Sequence, residues 1–489
     1  MANEIYHRTN WGEAKPEGFG DMYFDPSATN KLYNRSTYYE NSDATDKILG
    51  DIPNKASIVL TPTGYSEDKI GSAIPVDGNG DFTFARNSSA TRVNQAGLIE
   101  ASQSNDTPRL DYTTGQGAFL IEPQSTNLIT KSEQPANWTY TEFGSGSAGT
   151  ITTGKVDMFG STNAVQVDFP SDAENVSINF GIATSSASSS TSYATSIYIK
   201  LLTSETKNIQ FRTGASANTL AINSTDFVRY TATGTRSSNE SFHLKLRPSQ
   251  GTSSGGFSMI ICQPQEETGT FVTSYIPTTG SEVTRSAETA NSSGNSDLFN
   301  DSEGVLYAEL ASLAEDVGSN KKFSISSGAS SNSVTFSYRS TNNQIQALVK
   351  NGGTTTVNIT TTVSPAVTNF FKIAIKYKTD DCTLFVNGTK VATDTSAAMP
   401  TGLNTLNFDR GDGGQDYIGK VKSIAVFKEA LTEIELEKLT SWRDFRDLAE
   451  SLEYTLVTIK SDAIVVSAYG TISGGGGVSG GGSGGGGGY

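Results

Sequence analysis

The strongest constraint on this chain is its rhythm of short strand-like runs broken by Ser, Thr and Gly clusters. Ser57 to Leu60, Phe82 to Ala85, Ala164 to Phe169, Tyr193 to Lys200, Phe227 to Thr231, Phe242 to Leu246 and Phe257 to Ile261 form a first series. A second series follows the polar stretch Ser286 to Ser302: Val305 to Leu310, Val334 to Tyr338, Gln344 to Val349, Phe371 to Tyr377, Thr383 to Val386 and Val421 to Phe427. Many short runs with turn residues between them are how antiparallel sandwiches read. Asn387-Gly388, between Phe385 and Val391, asks for a two-residue hairpin turn with left-handed backbone. A length of 489 residues leaves room for two or three folded units.

The expected fold is therefore mainly β, with two antiparallel β-sandwich (jelly-roll) units at 56–288 and 303–440. Residues 1–55 carry apolar side chains singly or in small clusters, such as Met22 to Phe24, and read as an irregular arm that orders against a partner. Thr432 and Glu435 have capping-box spacing, and Ile434, Leu436, Leu439, Trp442, Phe445, Leu448 and Leu452 mark a helical stripe. A hairpin is expected next, Tyr454 to Ile459 with Ala463 to Tyr469, so that 441–472 is a helix extension and hairpin and 473–489 a glycine-rich tail. Both faces of that hairpin carry apolar residues, which calls for burial between copies, and a homotrimer is the expected assembly.

Scarce residues exclude much chemistry. The two histidines, His7 and His243, and two cysteines, Cys262 and Cys382, cannot build a multi-ligand zinc site or a disulfide framework. Buried free thiols are the expectation, against a single bridge between units. A Ser/His/Asp site would need one of those histidines, and His243 alternates with Phe242 and Leu244, on the side that faces solvent. Gly481 to Gly485 fits G-x-S-x-G but lacks the strand and helix that make a nucleophile elbow. With 36 basic against 51 acidic residues the net charge of −15 repels phosphate backbones, so nucleic acid is not an expected partner. No run approaches the ~18 apolar residues of a membrane span, and the first twenty residues lack a secretory apolar block, so no membrane insertion is expected.

Several ordered segments carry a resemblance. DFTFARNSSATRVNQAGLIE from Asp81 to Glu100, PRLDY from Pro108, LIEPQSTNL from Leu120, and Ser132-Glu133 with Trp138 form one block. Its lead-in is ASIVLTPT from Ala56 and DGNGD from Asp77, and its exit is TSYIPTTG from Thr273 and VTRS from Val283. Together these resemble a block common in bacteriophage tail-fibre and virion appendage proteins. FVNGTK from Phe385, GKVKSIAVF from Gly419 and ALTEIEL from Ala430 resemble a laminin-G-like, concanavalin A-type jelly roll. The resemblance implies a virion protein assembled in the host cytoplasm, an arm that contacts other virion structural proteins, and a host cell-surface glycan as ligand. A purely structural fibre or decoration protein is the alternative, and a glycan depolymerase a further one. No catalytic residue is assigned, and the chain is read as a non-enzyme.

For sugar binding, aromatic faces stack on pyranose C–H groups while amides and carboxylates take hydroxyls. Trp138 and Tyr140 beside Asn137 form one candidate cluster, with Trp138 as a core anchor the competing reading. Tyr417 with Asp412, in a Gly-rich loop, forms a second. Asp409, Asp412 and Asp416 stand where laminin-G-like domains can bind calcium, although a solvated turn is favoured and no cofactor is expected. Asp77 to Asp81 copies the start of an EF-hand loop but has Phe82 where Gly is needed, and reads as a tight turn.

Overall fold

Alternation along the second series sorts its residues onto two faces, and the apolar faces meet. In the computed structural model this gives two sheets enclosing one core. The described residues are 52–441 apart from 62–64, 67, 76, 144–148, 171–176, 182–190, 214–215, 236–242, 249–255, 316–318 and 341–342, together with the backbone of Tyr23–Phe24, Lys31–Tyr33, Thr37–Asn41 and Tyr454–Thr458. One sheet has five strands in the order Thr354–Thr362, Gln344–Asn351, Ser333–Tyr338, Lys321–Ser326, Thr405–Asn407. The other has eight and is centred on Glu303–Ser312, which pairs antiparallel with Phe371–Lys378 on one side and Gly419–Phe427 on the other. The mainly β, antiparallel sandwich expectation holds.

The unit boundaries differ from expectation. Ala56–Leu60 and Ala118–Ile121 both pair with the free edge of Gly419–Phe427, in the registers Ile424↔Leu60 and Phe119↔Val421. Ile58, Phe82, Phe84 and Phe119 share one core with Phe323, Phe336, Ile373 and Val421. The strands Ala56–Leu60, Phe82–Ala85 and Ala118–Ile121 therefore complete the second sandwich instead of opening the first, whereas Ile99 between them packs with Met158, Tyr198 and Cys262 of the first. The stretch 286–302 is no linker either: Thr289–Asn291 pairs with Phe82–Ala85, and the Asp301 carboxylate accepts the amides of Gly402 and Leu403 at 2.7 and 2.8 Å. Sequence alternation marks which residues are strands, but pairing across hundreds of positions leaves no local signal. Covering the last strand's edge also removes a row of unpaired backbone groups.

The first sandwich is an insertion spanning 125–285. Its two five-stranded sheets enclose Val165, Val167, Ile197, Ile199, Met259, Ile261 and Trp138. Entry strand Ser125–Asn127 pairs with exit strand Val283–Arg285, so the inserted domain enters and leaves at one place. That is the geometry a host fold tolerates best.

Local signals hold well. Asn387 (φ 46°) and Gly388 (φ 76°) join Cys382–Val386 to Thr389–Asp394 as the hairpin turn. Glu435 Oε2 accepts both the Thr432 amide at 2.7 Å and its hydroxyl at 2.8 Å, while the Glu435 amide reaches Thr432 Oγ1 at 3.3 Å, which completes the capping box of helix Glu433–Ser441. Leu436 and Leu439 bury that helix against Phe385, Phe427 and Ile52. Asp77 caps its own turn through the Asn79 amide. Both cysteines are buried and free. The helix continuation to Leu452, the strand 463–469 and the glycine tail lie outside the described residues. Tyr454–Thr458 is described, and it pairs with Thr37–Asn41 of the arm. No described helix is long and apolar enough to cross a membrane.

Candidate functional site

The residues of the recognised block converge on the neck of the insertion. Glu288 accepts Arg86 Nη1 at 2.7 Å and Arg109 Nε at 2.8 Å through one oxygen, and Arg109 Nη2 and the Glu122 amide through the other. Glu122 in turn receives Arg109 Nη2 at 2.8 Å, Arg285 Nη1 at 2.7 Å and the amide and hydroxyl of Ser274 at 2.7 and 2.6 Å. All five charged side chains are buried. Burial opposes the charge on Glu122, but Arg285 and Arg109 outweigh it and bring its pKa down to about 2. Burial likewise works against Arg109, yet Glu288 and Glu122 hold it above its usual value. With no solvent access, this ionic cluster binds host to insertion and offers nothing to a ligand.

A different arrangement lies on the outer face of the five-stranded sheet. Its inward residues, Phe323, Ile325, Val334, Phe336, Ile345 and Val349, belong to the core, so alternation turns their neighbours outward. The register aligns three outward rows: Lys322, Ser337, Gln346 and Thr360; Ser324, Thr335, Leu348 and Asn358; Ser326, Ser333 and Lys350. Gln346 Nε2 donates to Asn358 Oδ1 at 2.8 Å, and Thr335 Oγ1 to Ser333 Oγ at 3.3 Å. Asn358 and Thr360 are exposed, whereas the serines are buried. A sheet face this rich in hydroxyl and amide groups is set up for hydrogen bonding rather than for apolar packing.

One end of that face is roofed by residues 409–415. Ser324 Oγ donates to the Asp409 carbonyl at 2.8 Å, and Gly411 (φ 93°) sits so close to Ser326 that a Cβ would meet the serine Oγ at 2.6 Å. Only glycine meets both demands. Arg410 grips Asp412 bidentately, Nε to Oδ1 at 2.9 Å and Nη2 to Oδ2 at 2.8 Å. The chain then rejoins the sheet edge, where Lys322 N donates to the Gln415 carbonyl at 3.0 Å.

The expected site residues separate. Trp138 is 4% exposed and donates Nε1 to the Lys131 carbonyl at 2.7 Å, so it anchors the inserted sandwich and has no open face for a sugar. Asn137 is exposed and donates to Gln134 Oε1 at 3.3 Å, while the Tyr140 side chain lies outside the described residues. Tyr417 is 1% exposed, packs on Phe408 and Tyr338, and donates its hydroxyl to the Ala311 carbonyl at 2.8 Å. Burial raises its pKa well above the usual value. It is a core residue, not a stacking platform. Asp412 does stand at the edge of the polar face.

The three aspartates weighed for calcium each have other partners. Asp409 turns inward and accepts the Gly411 amide, Asp412 is held by Arg410, and Asp416 faces Lys321. Burial raises the pKa of both Asp409 and Asp416, with repulsion between carboxylates adding to it. Among the described residues no three His, Cys, Asp or Glu side chains are placed to hold a metal. The polar face itself was legible as alternation in KKFSIS and SVTFSY, but which side faced outward needed the second sheet.

Sequence comparison decides the nature of this sandwich: residues 313–437, about a quarter of the chain, match the concanavalin A-like lectin/glucanases superfamily. Residues 313–437 form a concanavalin A-like domain. It contains the whole five-stranded sheet and the 409–416 loop. The chain is similar to the CBM40 of Ruminococcus gnavus IT-sialidase bound to alpha2,3 sialyllactose, at 15% identity over 29% of this chain and 84% of that one, with a TM-score of 0.25. It is similar to a leech intramolecular trans-sialidase at 19% identity, covering 30% of this chain and 24% of that one, with a TM-score of 0.25. A heptameric SAP-like pentraxin from Limulus polyphemus is similar at 12% identity, over 29% of this chain and 72% of that one, with a TM-score of 0.23. No curated protein matches the chain.

Proposed function

We propose that this chain is a carbohydrate-binding protein, not an enzyme, and that it takes its ligand on the polar face of the concanavalin A-like domain. The observation that carries this reading is the outward set of amide and hydroxyl side chains, ending in exposed Asn358 and Thr360, on a sheet whose opposite face is fixed in the core. Amides and hydroxyls match sugar hydroxyls as paired donors and acceptors, and placing them on strands limits the ordering cost of binding. Asp412, expected from sequence to contact sugar, borders the same face.

The biological setting we propose is a bacteriophage virion appendage that adsorbs to host-surface glycan, attached to other virion proteins through residues 1–55 and acting as a homotrimer. The ordered block from Ala56 to Ser286 supports this setting, since Arg86, Arg109, Glu122 and Arg285 all belong to it and meet at one joint. A structural fibre protein is the rival reading.

Glycan-array binding of the full chain, compared with the Gln346→Ala/Asn358→Ala double variant, tests the proposal. Binding by the parent and at least a tenfold loss in the variant, with an unchanged melting temperature, is the expected outcome; a tenfold loss is about 1.4 kcal/mol. Equal binding by both would move the site off this face, and a blank array for the parent would favour the structural reading.

A further inference from the structure

The polar face has a charge imbalance that its own residues leave uncorrected. Lys322 is 8% exposed overall, and its ammonium reaches solvent at its tip while making no ion pair or hydrogen bond with any described residue. Its charged neighbours are Lys350 and Arg410, which repel it, and Asp412, which attracts it. Asp412 is already occupied by the bidentate bond from Arg410. Three cations thus share Asp412, with Asp409 acting on Arg410 alone, on a chain whose 51 acidic residues outnumber its basic ones. Compare buried Lys376 and half-buried Lys420 in the same sandwich, each of which has an aspartate at 2.7–2.8 Å. Cations held near one another with too little negative charge between them repel, and that repulsion is relieved when a ligand brings the missing negative group.

We infer that the face takes an acidic saccharide, with its carboxylate or sulfate seated among Lys322, Lys350 and Arg410 and its hydroxyls on Gln346 and Asn358. This rests on the carbohydrate-binding reading above and adds the ligand's chemical class. Arg410 is suited to the seat because Nε and Nη2 are spent on Asp412, whereas Nη1 makes no hydrogen bond among the described residues. Lys350 and Arg410 are both partly open to solvent, so the acidic group can reach them from outside.

The test uses the full chain in calorimetric titrations against three probes of equal length: a uronic-acid oligosaccharide, the same oligosaccharide with its carboxyls reduced to alcohols, and a sulfated neutral oligosaccharide. The expected result is that one or both acidic probes bind at least about tenfold more tightly than the neutral one, the size of effect a charge-assisted hydrogen bond gives. That advantage should shrink with added salt. Which acidic probe wins identifies the group. Lys322→Gln should remove most of the advantage while leaving any neutral binding in place, and Lys322→Arg should keep it. Lys350→Gln provides a second, partly exposed variant whose folding is not at issue. Equal affinity for acidic and neutral probes, or an advantage that survives Lys322→Gln and Lys350→Gln alike, overturns the inference while the carbohydrate reading stands. If no saccharide binds in any form, the carbohydrate reading falls and this inference falls with it.

Discussion

The neck of the insertion and the polar face of the five-stranded sheet both draw charge out of water, yet they treat it in opposite ways. At the neck, Arg86, Arg109 and Arg285 interlock with Glu122 and Glu288, and backbone carbonyls of Ser88, Ser104, Thr107, Thr91 and Pro123 take guanidinium protons left over. On the sheet face, Lys322 is 8% exposed, its ammonium reaches solvent, and it has no such partner. Buried polar groups in folded proteins are nearly always satisfied, and among the charged groups of the neck Arg285 Nε alone is without a partner among the described residues. The neck pairs its charges within its own chain and serves architecture, whereas the cations of the face have an excess that a ligand can pair.

The largest effect that sharpens this contrast comes from breaking the neck. Glu288→Ala removes the acceptor shared by Arg86 and Arg109 and leaves three buried guanidiniums around Glu122. Losing one partner of a buried ion pair costs roughly 3–5 kcal/mol. Urea denaturation should show that loss. A cost below about 1 kcal/mol would mean the neck is not a joint.

Acid probes the same cluster with a smaller effect. Because the folded pKa of Glu122 is depressed from 4.5 to about 2, its contribution is fully present above pH 4.5 and is lost as the pH falls through 2. The wild-type chain should therefore lose about 2–3 kcal/mol between pH 4.5 and 2 through this group. Glu122→Gln, though weaker at neutral pH, should lack that part of the slope. Parallel stability curves for the two proteins would remove Glu122 from the joint.

The two regions also differ in how far the sequence announced them. Capping box, Asn-Gly turn, strand alternation and helix stripe are local, and Thr432, Glu435, Asn387 and Gly388 occupy the places their spacing implies. The neck was visible only as an ordered set of motifs, because Arg86 and Glu288 stand 202 positions apart and no local pattern says that they meet. The same distance hid the insertion: Ala56–Leu60 is an ordinary strand by composition, and its partner is the last strand of the host. Aromatic residues misdirected the site search for a related reason. Trp138 and Tyr417 look alike as stacking platforms and as core anchors until the surrounding sheets are known, and both are core. Lys322 gave no sign at all, since one lysine in an alternating strand reads as solvent-facing, and what sets it apart is the absence of a carboxylate paired with it in three dimensions.

That absence supports the smallest and most discriminating expectation. If Lys322 is held for a ligand and not for the fold, replacing it should cost the free protein nothing. Burial and the repulsion of Lys350 and Arg410, only partly offset by Asp412, depress its pKa below 10.5. An unfolded chain then binds the proton more readily than the folded one, so stability rises with pH from the depressed value up to 10.5, and the charge is a burden throughout the range below. Lys322→Met keeps the length of the apolar stem and removes the burden. It should stabilise the unliganded chain at neutral pH by up to about 1 kcal/mol, the scale of a like-charge repulsion near a protein surface. The gain over wild type should fade as the pH approaches 10.5, because the lysine is then neutral in both states. Denaturation curves for the two proteins at pH 7 and pH 10 measure this directly. A Lys322→Met chain that is less stable at pH 7 would mean that the fold already satisfies Lys322, and the contrast between neck and face would collapse.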